Sequence, residues 1–149
     1  MLTIKRTNSD DKDFQALVKE LDLDLKIRDG DEHVFYAKLN KTDKIKHVIV
    51  AYEEDEAIGC GAIRQYSQDT MEVKRMFVSL HKRGQGFAST ILKALEAWCK
   101  EVNFNKCILE TGKNQPEAIR FYKKNDYNII PNFGPYINVE NSICFEKIL

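Results

Sequence analysis

The sequence lacks any long apolar run, any net charge and any cluster of metal-ligand residues. Its 149 residues set 23 Lys and Arg against 23 Asp and Glu. Nothing global steers such a chain to nucleic acid or to an anionic membrane, so a charge-driven partner needs a local patch. Without a stretch of about twenty apolar residues, no segment reads as a membrane span. The opening MLTIKRTNSDD turns polar at once, which argues against a leader segment and sets the expectation of a cytoplasmic protein. The four cysteines, Cys60, Cys99, Cys107 and Cys144, include no CxxC pair. Each sits in an apolar segment, where a free thiol acts as a small core residue. His33, His47 and His81 are scattered, and no HExxH spacing occurs, so no metal is expected. GxxxxGK[ST] is absent, which excludes a P-loop. No repeat, linker or low-complexity segment interrupts the chain.

What is present is a balanced globular composition, 43% hydrophobic and 31% charged, read as one domain over residues 1–149. Leu2–Arg6 alternates as a strand. Ser9 or Asp10 can cap a helix whose Phe14, Leu17, Val18 and Leu21 share a face, until Arg28-Asp29-Gly30 breaks it. A second short helix is expected through Val34, Phe35 and Leu39. Lys46–Glu53 and Ala57–Tyr66 form a hairpin, with Gly59 and Gly61 pointing to a bulge or close packing. Thr70–Val78 makes a third meander strand. The long helix that follows carries Phe87, Ile91, Leu95, Trp98, Cys99 and Val102 on one stripe. Lys106–Thr111 then reads as a strand parallel to Thr70–Val78. Pro116 opens another helix that Asn125-Asp126 ends. Tyr127–Ile130 and Ser142–Ile148 are strands around the rigid Pro131–Pro135 loop.

Three groups carry chemistry. The turn Arg83-Gly84-Gln85-Gly86-Phe87-Ala88-Ser89 lies between a strand and a helix N-terminus. The amides of Gly84, Gly86, Ala88 and Ser89 can converge on a phosphate there, with Lys82 and Arg83 supplying charge; an ordinary glycine-capped loop is the alternative. A dinucleotide fold would want a third glycine where Ser89 stands, although Glu110 could serve a ribose. That fold also wants an apolar feeding strand, and Glu72-Val73-Lys74-Arg75-Met76-Phe77-Val78 is charged. In that strand alternation puts Glu72, Lys74, Met76 and Val78 on one face and Val73, Arg75 and Phe77 on the other. Glu72 suits a general base and Arg75 or Lys74 an anion clamp; solvated strand charges are the alternative. In the last helix, Ala118 and Tyr122 are i, i+4 neighbours. Tyr122 reads either as a proton donor at a cleft or as a core aromatic.

Taken in order, these pieces resemble the GCN5-related N-acetyltransferase (GNAT) superfamily. The signature Arg/Gln-x-x-Gly-x-Gly/Ala matches Arg83–Ala88, and an Ala-Ile-x-x-Tyr helix followed by an aromatic strand matches Ala118-Ile119-Arg120-Phe121-Tyr122 and Tyr127. The runs EVKRMFV, TGKNQPEAIRFY, PNFGPY and SICFEK are similar to small bacterial members. The resemblance implies an α/β (α+β) fold, a mixed, mostly antiparallel twisted sheet of about six or seven strands with helices on both faces. It also implies a splay between the fourth and fifth strands, where the arm of acetyl-CoA enters.

The same resemblance assigns roles. Main-chain groups of Met76, Phe77 and Val78 would pair with the pantetheine arm, and Arg83, Gly84, Gln85, Gly86, Phe87, Ala88 and Ser89 would hold the pyrophosphate. Gln115, or Asn114 beside it, stands where many members have Asn. Tyr122 would protonate the departing sulfur, and Glu72 would deprotonate the amine directly or through water. Asp126-Tyr127 replaces a usual Gly-Phe. A main-chain N–H of Phe77 or Val78 would hold the oxyanion. Acetyl-CoA is the implied cosubstrate. The acceptor site is expected among Arg28, Asp29, Phe35, Arg64, Arg75 and the Phe133–Tyr136 loop, with Phe133 and Tyr136 as walls. Guanidiniums there suit a carboxylate. The expected acceptor is therefore a small-molecule amine such as a free amino acid, with no nucleic acid or membrane partner and a monomer or homodimer. A peptide acceptor, a non-catalytic CoA-binding module and a nicotinamide-binding fragment are the other readings.

Overall fold

The computed structural model describes residues 1–29 and 44–149, less the side chains of Arg28 and Asp29. The expected helix through Val34, Phe35 and Leu39 lies outside the described residues. In chain order the elements are β1 (Leu2–Thr7), α1 (Lys12–Asp29), β2 (His47–Glu53), β3 (Glu56–Gln65) and β4 (Thr70–Val78). There follow α2 (Phe87–Glu101), β5 (Lys106–Gly112), α3 (Pro116–Lys124), β6 (Asn128–Ile130) and β7 (Ser142–Ile148). The strands form one seven-stranded sheet in the order β1-β2-β3-β4-β5-β7-β6. Every neighbouring pair is antiparallel except β4–β5, which is parallel. No helix among the described residues is long and apolar enough to cross a membrane.

The helices lie where their apolar stripes send them. Phe14, Leu17 and Leu21 of α1 pack onto Val48, Val50, Cys60, Ala62 and Phe77 on one sheet face. Ile91, Leu92, Leu95 and Cys99 of α2 pack onto Ile49, Ile63, Val73 and Leu109 on the other. All four cysteines are free and buried, as small core residues. One local expectation changes, and one departure from the family pattern finds its local solution. The α1 cap is Asp11, whose Oδ1 accepts the Phe14 N–H at 2.9 Å, while Ser9 Oγ instead accepts the Ile45 N–H at 2.9 Å. The glycine missing at the end of α3 is replaced by Asp126, which takes the left-handed conformation itself at φ 72° and is among the residue types that tolerate it.

Gly59 and Gly61 let α2 approach the sheet. A Cβ on Gly59 would stand 2.8 Å from Ile91 Cδ1, and one on Gly61 would stand 2.8 Å from Leu95 Cδ1. Both distances are below van der Waals contact. The helix whose N-terminus borders the glycine turn is thereby set directly on β3.

Candidate active site

The sheet opens beside β4. Parallel pairing with β5 is limited to Thr70↔Lys106, Met71↔Cys107 and Glu72↔Ile108. Past Glu72, β4 continues along β3 as far as Val78, while β5 continues along β7 as far as Gly112. The register of β3 and β4 slips between Cys60 and Ala62, so that Gly61 faces both Arg75 and Met76. Arg75 takes the left-handed conformation there, at φ 58°, as the extra residue of a β-bulge does. The bulge overturns the alternation expected from sequence. Val73, Met76 and Val78 pack with the α2 face, whereas Phe77 packs with the α1 face. Met76 therefore parts company with Glu72 and Lys74.

The opening holds a cleft of about 110 Å³, lined by Leu21 and Leu25 of α1, by Glu72, Lys74, Arg75 and Met76 of β4, and by Glu110, Gln115, Ala118, Tyr122 and Tyr136. Both residues expected to do acid–base work, Glu72 and Tyr122, border this one space. Glu72 is buried, and its carboxylate lies 3.2 Å from Arg64 Nη2 and 3.6 Å from Lys74 Nζ. Tyr122 is held edge-on by Phe121 and Tyr127, with ring centroids at 5.0 and 5.7 Å. Burial, reinforced by the charge of Glu110, pushes its phenol well above the ordinary value. Tyr122 therefore keeps its proton to give. The Tyr136 phenol is pushed up in the same way by burial and by Glu110 and Glu72. Burial lowers the Lys74 ammonium, against the pull of Glu72.

Lys74, weighed from sequence only as an anion clamp, and Glu110 also border the cleft. Glu110 was legible only as an acid at a strand end and was weighed for a ribose. Here it borders the cleft and accepts the Ser142 hydroxyl at 2.7 Å.

The expected acceptor residues divide. Arg75 and Tyr136 line the cleft. Arg64 reaches it through Glu72, with 46% of its side chain exposed. Phe133 stands behind, edge-on to Tyr66 at 5.3 Å and to Tyr136 at 5.6 Å. The Arg28 side chain and all of Phe35 lie outside the described residues. Neither arginine is an open carboxylate clamp. Arg75 Nη1 donates to Asp22 Oδ1 at 2.7 Å, and Arg64 is engaged by Glu72. Gln115 lines the cleft while Asn114 is exposed on the preceding turn.

The glycine turn borders a second cleft of about 250 Å³, lined by Val78, Lys82, Arg83, Gly84, Gly86, Phe87, Ala88, Ser89, Phe121 and Lys124. Gly84 and Gly86 have φ 80° and 83°, and the space a Cβ would occupy at each is open. That combination suits a phosphate that comes close to the main chain at a helix N-terminus. Gln85 is exposed on the turn. Ser89 Oγ accepts the Asn125 side-chain amide at 3.3 Å, which ties α3 to this end of α2. Arg83 does more than supply charge, since its Nε donates to the Val78 carbonyl at 2.8 Å and its guanidinium lies over Phe77. The two oxyanion candidates also separate. Ser79 N–H donates to the Ile58 carbonyl at 2.8 Å, and Gly59↔Val78 and Cys60↔Phe77 are the next pairs. Alternation of hydrogen-bonded and non-bonded pairs then turns the Phe77 N–H inward to β3 and the Val78 N–H outward to the splay.

Residues 12–127 match the model of the acetyltransferase (GNAT) family. An IAA acetyltransferase of Azospirillum brasilense is 33% identical over 102 residues, 68% of this chain and 67% of the relative. Among solved structures, a Klebsiella pneumoniae protein assigned to the acyl-CoA N-acyltransferases superposes with a TM-score of 0.83 at 29% identity, over 100% of this chain and 98% of that one. A GNAT acetyltransferase of Elizabethkingia anophelis, solved with acetyl-CoA bound, shares the fold with a TM-score of 0.71 at 19% identity, over 99% of this chain and 98% of that one.

Proposed function

The chain belongs to the GNAT family of acetyl-CoA-dependent acetyltransferases, and we propose that it acetylates a small primary amine, free amino acids included, in the cleft between β4 and α3. The observation that carries this reading is that Glu72 and Tyr122 border one cleft of about 110 Å³. That volume accepts a small amine more readily than a folded protein surface. The carboxylates Glu72 and Glu110 give an amine acidic partners at a wall that also carries Lys74 and Arg75.

The residues divide the work. Gly84, Gly86, Ala88 and Ser89 would hold the pyrophosphate, and the open edge of β4 would take the pantetheine arm. Glu72 takes the proton of the acceptor ammonium, directly or through water. The Val78 N–H, turned to the splay, stabilises the oxyanion. Tyr122 gives its proton to the departing sulfur. Confinement in the cleft supplies orientation. The engaged state of Arg64 and Arg75 moves recognition from a carboxylate clamp to the amine and to the aromatic wall of Tyr136.

A CoA-release assay across simple amines, amino acids and short peptides tests this reading. Turnover of small amines is expected. Turnover of peptides alone would refute the small-acceptor assignment, and no turnover of any amine would refute the cleft assignment.

A further inference from the structure

Lys74 differs from every other lysine among the described residues, because it alone is buried, at 7% exposure. Its side chain lines the same cleft as Glu72 and Tyr122. Its Nζ is 3.6 Å from Glu72 Oε2, an ion-pair distance that a small side-chain shift or one water turns into a proton-transfer path. Lys74 precedes Val78 by four positions, and the bulge at Arg75 takes up one of them. The strand therefore separates the two by about three rises of roughly 3.3 Å each. Turned from Glu72 along the strand, a four-carbon side chain covers more than half of that span.

We propose that Lys74 is an internal acceptor, acetylated on Nζ by acetyl-CoA bound in its own cleft. The proposal rests on the catalytic reading of Glu72 and Tyr122 given above. Every feature that selects an external amine applies to Lys74: desolvation, a carboxylate within reach and a tyrosine across the cleft. The charges around it are Glu72, Arg64, Arg75 and Glu110, and burial lowers its ammonium and enlarges the neutral, nucleophilic fraction. In the step, the Lys74 ammonium gives one proton to Glu72 and its nitrogen attacks the thioester carbonyl carbon. The new C–N bond forms as the C–S bond breaks, and the sulfur leaves as a thiol with the Tyr122 proton. The second amine proton restores the phenol, and Glu72 releases its own to water. The product has lost the cation beside Glu72 and carries an acetamide into the small cleft. An acetylated chain should therefore turn over free amines more slowly, which makes the modification a self-limiting brake.

The test uses the unmodified full chain. Purified protein is incubated with acetyl-CoA and no acceptor, then digested and mapped by mass spectrometry over time. Lys74 should gain one acetyl mass before the exposed Lys12 and Lys19 do. Spontaneous acylation gives the reverse order, because it favours exposed amines. Tyr122→Phe should slow the gain roughly 100-fold, and an amine that the enzyme turns over should compete with it. Lys74→Arg, which keeps the charge beside Glu72, should abolish it. An unmodified Lys74 in protein that releases CoA with free amines overturns the internal acceptor and leaves the enzyme reading intact. Absence of both signals overturns both. Equal modification of Lys74 in the parent and in Tyr122→Phe also overturns the proposal.

Discussion

Replacing Gly59 by alanine tests whether close seating of α2 on β3 holds the structure together. The new methyl would lie 2.8 Å from Ile91 Cδ1, 3.0 Å from the Phe77 carbonyl oxygen and 3.3 Å from Val78 Cγ2. Carbon contacts settle at about 3.5–4.0 Å, so the first two fall roughly 0.5–1 Å short. Ile91 can shift a little, although it is fully buried. The Phe77 carbonyl cannot, because Phe77 is held opposite Cys60 in the β3–β4 ladder. The strain therefore falls on the seating of α2. Overpacking of this kind costs about 1–3 kcal/mol. The lower entropy of alanine in the unfolded chain returns about 0.5–1 kcal/mol. The net loss is about 0–2.5 kcal/mol, centred near 1 kcal/mol and thus about 2–4 °C in Tm for a chain of this length. A thermal melt without ligand reads it directly. Gly84→Ala is the comparison, since nothing lies within 4 Å of its added Cβ and only the φ of 80° opposes it. Its cost is backbone strain of about 1–2 kcal/mol with no packing clash, and it should weaken acetyl-CoA binding at the turn. A Gly59→Ala protein melting at or above the parent would refute the packing argument.

Tyr122→Phe should lower kcat about 100-fold or more with the KM for acetyl-CoA and the Tm nearly unchanged, because the ring contacts with Phe121, Tyr127 and Phe145 survive; steady-state kinetics and a melt check both. Asp11→Ala should cost about 1 kcal/mol, by loss of the α1 cap, measured by urea titration. Burial opposes ionisation of Asp11, but Lys5 and the Phe14 N–H outweigh it and lower its pKa below 3.8. Its stabilisation is thus complete above the ordinary aspartate value and lost as pH falls through the lowered one, so the parent's advantage over Asp11→Ala should vanish in acid. Tyr127→Phe removes a 2.8 Å hydrogen bond to buried Glu96 and leaves that carboxylate with Lys147 at 3.0 Å. A loss of about 1.5–3 kcal/mol is expected, and a loss below half of that in a urea titration would show that Lys147 suffices.

The regular elements were legible because each writes its period into the chain. β7 begins at Ser142 and ends at Ile148, the bounds that its apolar run set in the sequence. The α2 stripe appears as Ile91, Leu95 and Cys99, all fully buried. The glycine turn and the Tyr122 helix were legible as candidate site elements, and both border a cleft, although the turn alone left its ligand open. The bulge was not legible, because nothing in EVKRMFV asks for a left-handed arginine. Its cause is on the partner strand, where Gly61 leaves room for Met76 Sδ, 2.6 Å from the place of a Cβ. A period-two reading therefore held to Lys74 and failed at Met76. In the run Ser9-Asp10-Asp11, Ser9 and Asp10 were the expected caps, and Asp11 is the one used. The contact that decides among them, Ile45 N–H to Ser9, comes from a residue 36 positions away, which no local pattern contains. Glu110 was misjudged for a similar reason, since its neighbours in the cleft come from β4, α3 and the Tyr136 loop.

The splay also explains why so much charge is buried on β4. A strand that leaves one neighbour exposes main-chain groups that need partners or a ligand. After Glu72 the edge of β4 facing β5 has none of the β5 ladder, and Arg83 takes the Val78 carbonyl from beyond the strand's end. Glu72, Lys74 and Arg75 lie along the same opening at 5%, 7% and 8% exposure. Burial of these charges is tolerable only with partners. Glu72 has Arg64 and Lys74, and Arg75 has Asp22 at Nη1 while its buried Nε has no hydrogen-bond partner. A closed sheet would gain the missing ladder, and buried ion pairs of this kind are often replaced by aliphatic residues without loss of stability. Keeping the opening and its charges is thus a cost to the fold, and it is concentrated on the strand whose Val78 N–H is turned outward. On the proposed function that cost belongs to acyl transfer, because the open edge that lacks a strand is the edge on which a thioester would be held beside Glu72 and Tyr122.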